Sequence, residues 1–248
     1  MQWLPVLRGV IDRRILVNVR LDPDALATVL PAEFRPRTVA GPDGEYAIGG
    51  ICCLRLKAVR PRGFPALVGV TSENAAHRIG VEWDADGTTQ SGVYIPRRDT
   101  DSHLNSLVGS RGLGRHYHAD FEVTEGDGRY ELTMENRKHD VRVHVAGTET
   151  DALPEDSVFP DVAAASNYHE CGAVGYCPTP DGEQLAGVEL VTDEWRVTPL
   201  AVESVAASFF EDELPEEAVT FDNALLMRDI GHEWHQRPAM ATSTRGRA

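Results

Sequence analysis

The sequence has very little lysine and no long hydrophobic run. Only Lys57 and Lys138 are lysines among 248 residues, and 39 acidic side chains outnumber 24 basic ones, which gives a formal net charge of −15. Such a chain lacks the basic surface that phosphate binding needs, which argues against nucleic acid as a partner. No apolar run approaches the roughly 20 residues that span a bilayer, and the apolar part of the opening segment is too short for a secretion signal. A cytoplasmic protein with no membrane partner is therefore expected.

Cysteine is also scarce, and its spacing does not fit the common redox and metal motifs. The four cysteines are Cys52, Cys53, Cys171 and Cys177, and none of them forms a Cys-x-x-Cys pair. Free thiols in a reducing compartment are therefore expected. A metal cluster of His169 with Cys171 and Cys177 is a weaker alternative, and the sequence predicts no cofactor.

Short apolar runs separated by turn residues make up most of the chain. The pair Asp86-Gly87 predicts a tight hairpin that joins Ile79–Trp83 to Gly92–Ile95. The sequence EGDG, which begins at Glu125, predicts a second hairpin. Many short strands at hairpin spacing are typical of an antiparallel, β-rich domain.

Helix signals are fewer and equally local. Asp22 can cap a helix that Pro31 ends, and Asp161 can cap a second short helix. No repeat or linker divides the chain, so one domain with a few covering helices is predicted over residues 1–236. A disordered polar tail is predicted over residues 237–248.

Two segments carry a resemblance to a known family. The first is DRRILVNVRLDPDALATVLPAEFRPR, Asp12–Arg37, and the second is WRVTPLAVESVAASFFED, Trp195–Asp212. In this order they resemble the opening and the late strand pair of the acetoacetate decarboxylase-like superfamily, and in particular its DUF2071 branch. The resemblance implies a mainly β (α+β) fold, an antiparallel cone-shaped β-barrel with a few short covering helices and an internal pocket.

One departure from that family changes the expected chemistry. The sequence GLGRHYHAD lies where the decarboxylases carry a Gly-aromatic-Pro-Lys-Lys segment, and Tyr117 and His118 correspond to the paired lysines. A tyrosine cannot form the imine that a lysine nucleophile forms. We therefore expect that this protein is not a Schiff-base decarboxylase. Borohydride trapping of an acetoacetate adduct on the wild-type protein would contradict this expectation.

The strand HYHADF supplies the first candidate site residues. Residues two apart on a strand share a face, so His116, His118 and Asp120 point one way and Tyr117 the other. If the histidine face lines a barrel interior, these groups could perform acid–base chemistry near neutral pH. His-x-His also suits a metal ion. A polar outer face is an equally open interpretation, and a reversed register would turn Tyr117 inward.

Paired arginines supply a candidate anion site. Arg97 and Arg98 lie just before a predicted short helix, Thr100–Leu107. Guanidinium groups beside free backbone amides suit a carboxylate or a phosphate. Ion pairs with Asp99 and Asp101 at the surface are the commoner alternative.

Three further candidates come from two other segments. Glu73 and His77 share a face of the strand ENAAHRIGVEW whose other members are apolar. A strand-end residue bonded to a loop is the alternative interpretation for Glu73. Arg13 lies near the arginine that the resembled family has at its site, and its role is implied by the resemblance alone.

The sequence thus predicts a barrel that binds a small organic acid or carbonyl compound. One hypothesis is a lyase or hydrolase that works by histidine acid–base chemistry. The alternative is a non-catalytic ligand-binding module of the same fold, and a protein that associates through its barrel rim, as in a homo-oligomer, is a third option. The predicted catalytic residues are His116, His118 and His77, and the predicted substrate-binding residues are Arg97, Arg98, Tyr117, Asp120, Glu73 and Arg13.

Overall fold

The computed structural model describes residues 5–103 and 114–242, which are mostly β-strand. Three α-helices lie in these ranges: α1 (Pro23–Val29), α2 (Val162–Glu170) and α3 (Ser208–Glu213). The strands are β1 (Leu7–Leu21), β2 (Arg35–Pro36), β3 (Thr38–Gly41), β4 (Gly44–Pro61), β5 (Val70–Ala85), β6 (Thr88–Thr100), β7 (His116–His118), β8 (Asp120–Gly126), β9 (Arg129–Asn136), β10 (Val141–Glu149), β11 (Val174–Pro178), β12 (Gln184–Thr192), β13 (Thr198–Ala207) and β14 (Val219–Ala241). The mainly β class predicted from the sequence is confirmed.

Seven of these strands close into a ring. They follow the order β1-β4-β5-β6-β11-β12-β14, and β14 pairs back with β1. Neighbours in the ring are antiparallel except β6 and β11, which run parallel where Val93 lies beside Gly175. We call this closed set the seven-strand ring; it is irregular rather than a regular barrel.

The remaining long strands form a second layer that shares a wall with the ring. From β14 the sheet continues through β13, β10, β9 and β8, while β7 pairs in parallel with β6. The strands β14, β1, β4, β5 and β6 therefore form a shared wall between two cores. Because side chains alternate along a strand, Ile15 of β1 packs with Leu132 and Met134 of the second layer, whereas Leu16 packs with Ala165 of α2.

Both predicted hairpins are present, and their turn residues explain them. Asp86 and Gly87 have φ angles of 52° and 75°, and Asp127 and Gly128 have φ angles of 51° and 75°. A two-residue hairpin turn of the primed type requires positive φ at both central positions, and Asp-Gly tolerates it. In the first hairpin Ile79 lies opposite Tyr94 and Val81 lies opposite Gly92, so the two predicted strands do pair with each other.

The predicted helix caps are also confirmed. The Asp22 carboxylate accepts a hydrogen bond from the backbone N–H of Ala25 at 2.8 Å, and Asp161 does the same for Ala164 at 2.7 Å. Each bond satisfies one of the first amide groups of its helix, which have no partner within the helix. No helix in the described ranges is long and apolar enough to cross a membrane.

Two boundaries differ from the prediction. The strand β14 runs to Ala241, so residues 237–241 belong to a strand and not to a polar tail, and residues 243–248 lie outside the described part. The strand continues because its backbone pairs with β12 as far as Gln184 opposite Ala241. Thr100 ends β6 instead of starting a helix, and residues 104–107 of that predicted helix lie outside the described ranges.

Candidate functional site

A cavity of about 150 Å³ lies inside the seven-strand ring. Its wall is largely apolar, with Leu54, Leu56 and Ile95 among the lining side chains. Every strand of the ring contributes to the lining: Arg14 from β1, Cys52 from β4, Arg78 from β5, Arg98 from β6, Gly175 from β11, Val188 from β12 and Trp234 from β14. His116 from β7 completes the polar part of the wall.

Arg14 reaches the cavity, and its hydrogen-bond partners among the described residues are weak ones. Its Nε donates to the sulfur of Cys52 at 3.0 Å, and its Nη1 lies 3.8 Å from the sulfur of Met227. The guanidinium carbon lies 5.6 Å from the centre of the Trp195 ring. Thiol and thioether sulfurs are weak acceptors, so they compensate little of the positive charge.

Arg78 is a buried cation whose described partners are uncharged. Its Nη2 donates to Oδ1 of Asn18 at 2.5 Å, and its Nη1 lies 3.1 Å from Nδ1 of His169. Burial and the nearby Arg78 charge hold the pKa of His169 well below its usual range, so that ring is neutral at pH 7. Burial lowers the pKa of Arg78 to about 10, which still leaves it charged.

Arg98 and His116 form the neighbouring part of the wall, because β6 pairs with the strand β5 that carries Arg78. They face each other across the β6–β7 register. His116 Nδ1 lies 2.9 Å from the carbonyl oxygen of Gly114, so Nδ1–H donates and Nε2 carries the lone pair of the neutral ring. Burial and then the Arg98 charge lower the pKa of His116 to about 4, so its imidazole is neutral at pH 7.

The cavity wall carries an excess of positive charge. Asp99 is the one acid among the described residues that line it. The Asp99 carboxylate accepts two hydrogen bonds from Arg97, each 2.8 Å long, and a third from Asn136 at 2.8 Å. This carboxylate already has its counter-ion in Arg97, whereas three guanidinium groups, those of Arg14, Arg78 and Arg98, line the same cavity.

Among the sequence-predicted site residues, His116 and Arg98 line the cavity, whereas Arg97, Tyr117 and His77 lie on the other face of the wall. Arg97 stacks over the Tyr117 ring at 4.4 Å as well as binding Asp99. His77 is fully buried, its ring centroid lies 4.6 Å from that of Phe209, and neither ring nitrogen has a hydrogen-bond partner in the described part of the chain. Neighbours along a strand point to opposite faces, which separates Arg97 from Arg98 and Tyr117 from His116.

His118 and Asp120 do not reach the cavity either. Both side chains are exposed, and the His118 ring stacks on His103 with 4.0 Å between the ring centroids. The strand β7 is only three residues long and ends before Ala119. The alternation of side chains along a strand is therefore broken before Asp120, and Asp120 does not share a face with His116. The structure therefore brings one of the three predicted groups of this strand to the cavity, not all three.

Arg13 and Glu73 belong to an ion-pair network across the wall from the cavity. Arg13 is fully buried and donates to Glu73 at 2.6 Å and to Glu125 at 3.0 Å. Arg55 donates to the same two carboxylates at 2.6 and 2.8 Å. Two guanidinium groups and two carboxylates compensate one another here, and the predicted substrate-binding role of Arg13 and Glu73 stays a prediction.

Metal binding finds no support in the described part of the chain. Within residues 5–103 and 114–242, no three side chains of His, Cys, Asp or Glu are grouped as they would be around a metal ion. All four cysteines are free thiols, as the sequence predicted. The cavity residues Arg14 and Arg78, in contrast, were not among the site residues predicted from the sequence. The one feature of the sequence that could have indicated them is their position on the strand faces opposite to Arg13 and His77.

The fold belongs to the acetoacetate decarboxylase-like class. An acetoacetate decarboxylase from Legionella pneumophila subsp. pneumophila str. Philadelphia 1 is similar, with a TM-score of 0.60, 12% identity and coverage of 98% of this chain and 91% of that chain. The enduracididine biosynthesis enzyme MppR complexed with pyruvate has a TM-score of 0.61, 13% identity and coverage of 98% and 92%. An acetoacetate decarboxylase-like enzyme from Sphingomonas wittichii RW1 has a TM-score of 0.56, 12% identity and coverage of 96% and 93%.

Within this class the chain belongs to the DUF2071 family, which is described as an uncharacterised conserved protein. The family model matches residues 11–223. No curated protein sequence matches this chain significantly. The predicted family and the predicted fold are thus both confirmed. The solved relatives share the fold at low identity, and those named above are enzymes.

Proposed function

We propose that the cavity of the seven-strand ring binds a small organic acid or carbonyl compound that carries a carboxylate. The observation that carries this proposal is the convergence of Arg14, Arg78 and Arg98 on one cavity. Guanidinium groups match carboxylates because their planar N–H pairs can donate to both oxygens at once. A cavity of about 150 Å³ has roughly the size that holds a benzene-sized molecule, so the ligand has few carbon atoms.

The structural relatives support the choice of a first probe. MppR has been crystallised with pyruvate, and also with the condensation product of pyruvate and imidazole 4-carboxaldehyde. These ligands are small, and pyruvate combines a carboxylate with a carbonyl group. Short 2-oxo acids are therefore the compounds to test first on this protein.

The role of His116 distinguishes an enzyme from a binding module. If the protein is a lyase or hydrolase, Nε2 of the neutral His116 ring accepts a proton from the ligand while Arg98 holds the adjacent carboxylate or polarises the carbonyl. A general base works best with a pKa near the working pH, and the pKa of His116 is about 4. This weak basicity favours the second candidate, a binding module of the same fold in which His116 only orients the ligand.

The binding proposal predicts a strong effect of Arg98. Isothermal titration calorimetry with pyruvate, 2-oxobutyrate and the methyl ester of pyruvate should show binding of the acids and much weaker binding of the neutral ester. Arg98→Met should weaken acid binding about tenfold or more, because a hydrogen bond to a charged group contributes roughly 1.5–3 kcal/mol. Arg35→Met is the matched control, because this substitution removes the same charge from an exposed ion pair with Asp84.

Two results would contradict the binding proposal. One is equal affinity for pyruvate and its methyl ester, since the carboxylate would then contribute nothing. The other is an Arg98→Met variant that melts like the wild type yet binds pyruvate with unchanged affinity.

The choice between enzyme and binding module follows from the fate of the bound acid. Proton NMR of each acid that binds, incubated with the wild type and with His116→Gln, separates the two. An enzyme should consume the acid, and His116→Gln should slow turnover by roughly 100-fold or more with a similar dissociation constant, because acid–base groups contribute roughly that factor. A binding module should leave every acid unchanged, and His116→Gln should alter affinity only.

A further inference from the structure

We propose that the ligand is a short dicarboxylate whose second carboxylate binds between Arg14 and Arg78. This inference rests on the proposed function and deepens it by naming the class of ligand. The first carboxylate lies at Arg98 and His116, as argued above. The second position follows from two cations, the buried Arg78 and the half-buried Arg14, that lack a carboxylate partner in the described part of the chain.

The Arg14 side chain leans along the wall toward Arg78. In the strand register Arg14 lies opposite Leu54 of β4. Its Nε nevertheless donates to Cys52, two residues further along β4. Arg78 lies opposite Gly50, another two residues further in the same direction. The contact with Cys52 therefore carries the Arg14 guanidinium along β4 toward the row of Arg78.

Neither guanidinium has a carboxylate partner among the residues that the structure describes. Within residues 5–103 and 114–242, the Arg14 guanidinium bonds only to sulfur, and the Arg78 guanidinium bonds only to Asn18 and His169. The Nε of Arg78 is buried and has no hydrogen-bond partner. A buried charge is tolerated when it is paired, because removal from water costs several kcal/mol per ion after relaxation. A bound carboxylate would supply the missing partner for both cations.

Hydrogen bonds within the protein hold the Arg78 side chain in place without a ligand. The amide of Asn18 donates to Oδ1 of Asn223 at 2.8 Å, which fixes the Asn18 oxygen toward Arg78. Asn223 in turn donates to Asp222, whose carboxylate accepts from Ser157 at 2.8 Å and from the Val158 backbone at 2.9 Å. Such a chain of buried hydrogen bonds orients the guanidinium rigidly, and a preorganised site loses less entropy on binding.

The two cationic positions lie on neighbouring strands, because Arg98 of β6 lies opposite Ala76 of β5, two residues before Arg78. Arg98 acts electrostatically on His116, whereas Arg14 acts on Arg78 and lowers its pKa alongside burial. Cys52 lies beside the second pair and also lines the cavity. A dicarboxylate of four or five carbon atoms, folded to fit the small cavity, places one charge at each position.

The test compares succinate with monomethyl succinate, which has the same carbon chain and one charge fewer. Calorimetry on the full chain should show succinate binding at least tenfold more tightly. Arg14→Met should abolish this preference and leave monomethyl succinate within about threefold of its wild-type affinity. Arg14→Lys, which keeps the charge, should retain part of the preference, and Arg35→Met should leave both affinities unchanged.

Each other outcome overturns a defined part of the argument. Equal affinity for both compounds would refute the dicarboxylate and leave the proposed function standing. Failure of both compounds and of every 2-oxo acid to bind would refute both proposals. Tighter binding of phosphoglycolate than of succinate would replace the second carboxylate with a phosphate. If Arg14→Met fails to melt cooperatively, Arg14→Lys decides, because a preference for succinate that is as large as in the wild type would contradict the proposed position.

Discussion

Gly50→Ala is expected to destabilise the protein by about 3 kcal/mol or more, a loss at the upper end of single-residue effects. Gly50 has a φ of 150°, and a Cβ added there would lie 2.0 Å from the backbone oxygen of Val17 on the neighbouring strand β1. That oxygen cannot rotate away, so the two central strands of the shared wall must separate. Urea unfolding followed by far-ultraviolet circular dichroism measures the loss.

Gly44→Ala provides a matched control for Gly50→Ala. Gly44 has nearly the same φ, 153°, but no heavy atom lies within 4 Å of its added Cβ. The Gly44→Ala variant should therefore lose only the stability that an unfavourable backbone angle costs, of order 1–3 kcal/mol. Equal unfolding midpoints for the two variants would contradict the clash with Val17. Because Gly50 lies opposite Asn18, which holds Arg78, Gly50→Ala should also weaken ligand binding.

His77→Leu is expected to make the protein more resistant to acid. Burial and then the Arg97 charge lower the pKa of His77 to about 3 in the folded state. In the unfolded chain the pKa is near 6.5. Between these values the unfolded state binds a proton that the folded state does not, so stability is lost as the pH falls below about 6.5. At pH 5 the loss in the free energy of unfolding is about 2 kcal/mol for a single site. A leucine at this position does not titrate, so the variant does not lose this stability.

The measurement is urea unfolding of the wild type and of His77→Leu at pH 8 and at pH 5. The comparison at pH 8 records the change in packing against Phe209, since the imidazole is then neutral in both states. The variant should gain about 2 kcal/mol relative to the wild type between pH 8 and pH 5. A difference that is the same at both pH values would mean that His77 takes up a proton equally in the folded and unfolded chain.

Local chemistry made the turns and caps of this fold predictable. An Asp-Gly pair tolerates the positive φ of a hairpin turn at Asp86 and Asp127, and an aspartate satisfies the first amides of a helix at Asp22 and Asp161. The parallel contacts of β6 with β7 and β11 depend on segments far apart in sequence, which no local pattern specifies. The polar end of β14 forms a strand because its neighbours complete its backbone hydrogen bonds.

The candidate site was only half predictable for a related reason. Alternation correctly separates Arg98 from Arg97 and His116 from Tyr117, but it does not say which face meets a cavity. Apolar neighbours usually mark the inner face of a strand, yet the shared wall has a core on both sides. The sequence therefore predicted that the strand face of His77 lines a pocket, whereas in the structure this face packs into a core. Arg78, on the other face of the same strand, lines the cavity.

The pairing of β1 with β14 also governs how the protein folds during synthesis. Leu7 lies beside Trp234, so the first strand of the ring finds one of its two neighbours only after more than two hundred further residues have been translated. Until then β1 presents a long unpaired edge, which favours aggregation and recruits chaperones. Contacts between such distant segments also slow folding. We expect nascent chains stalled before β14 to associate with chaperones and to be degraded by proteases, and chains released after it to become resistant.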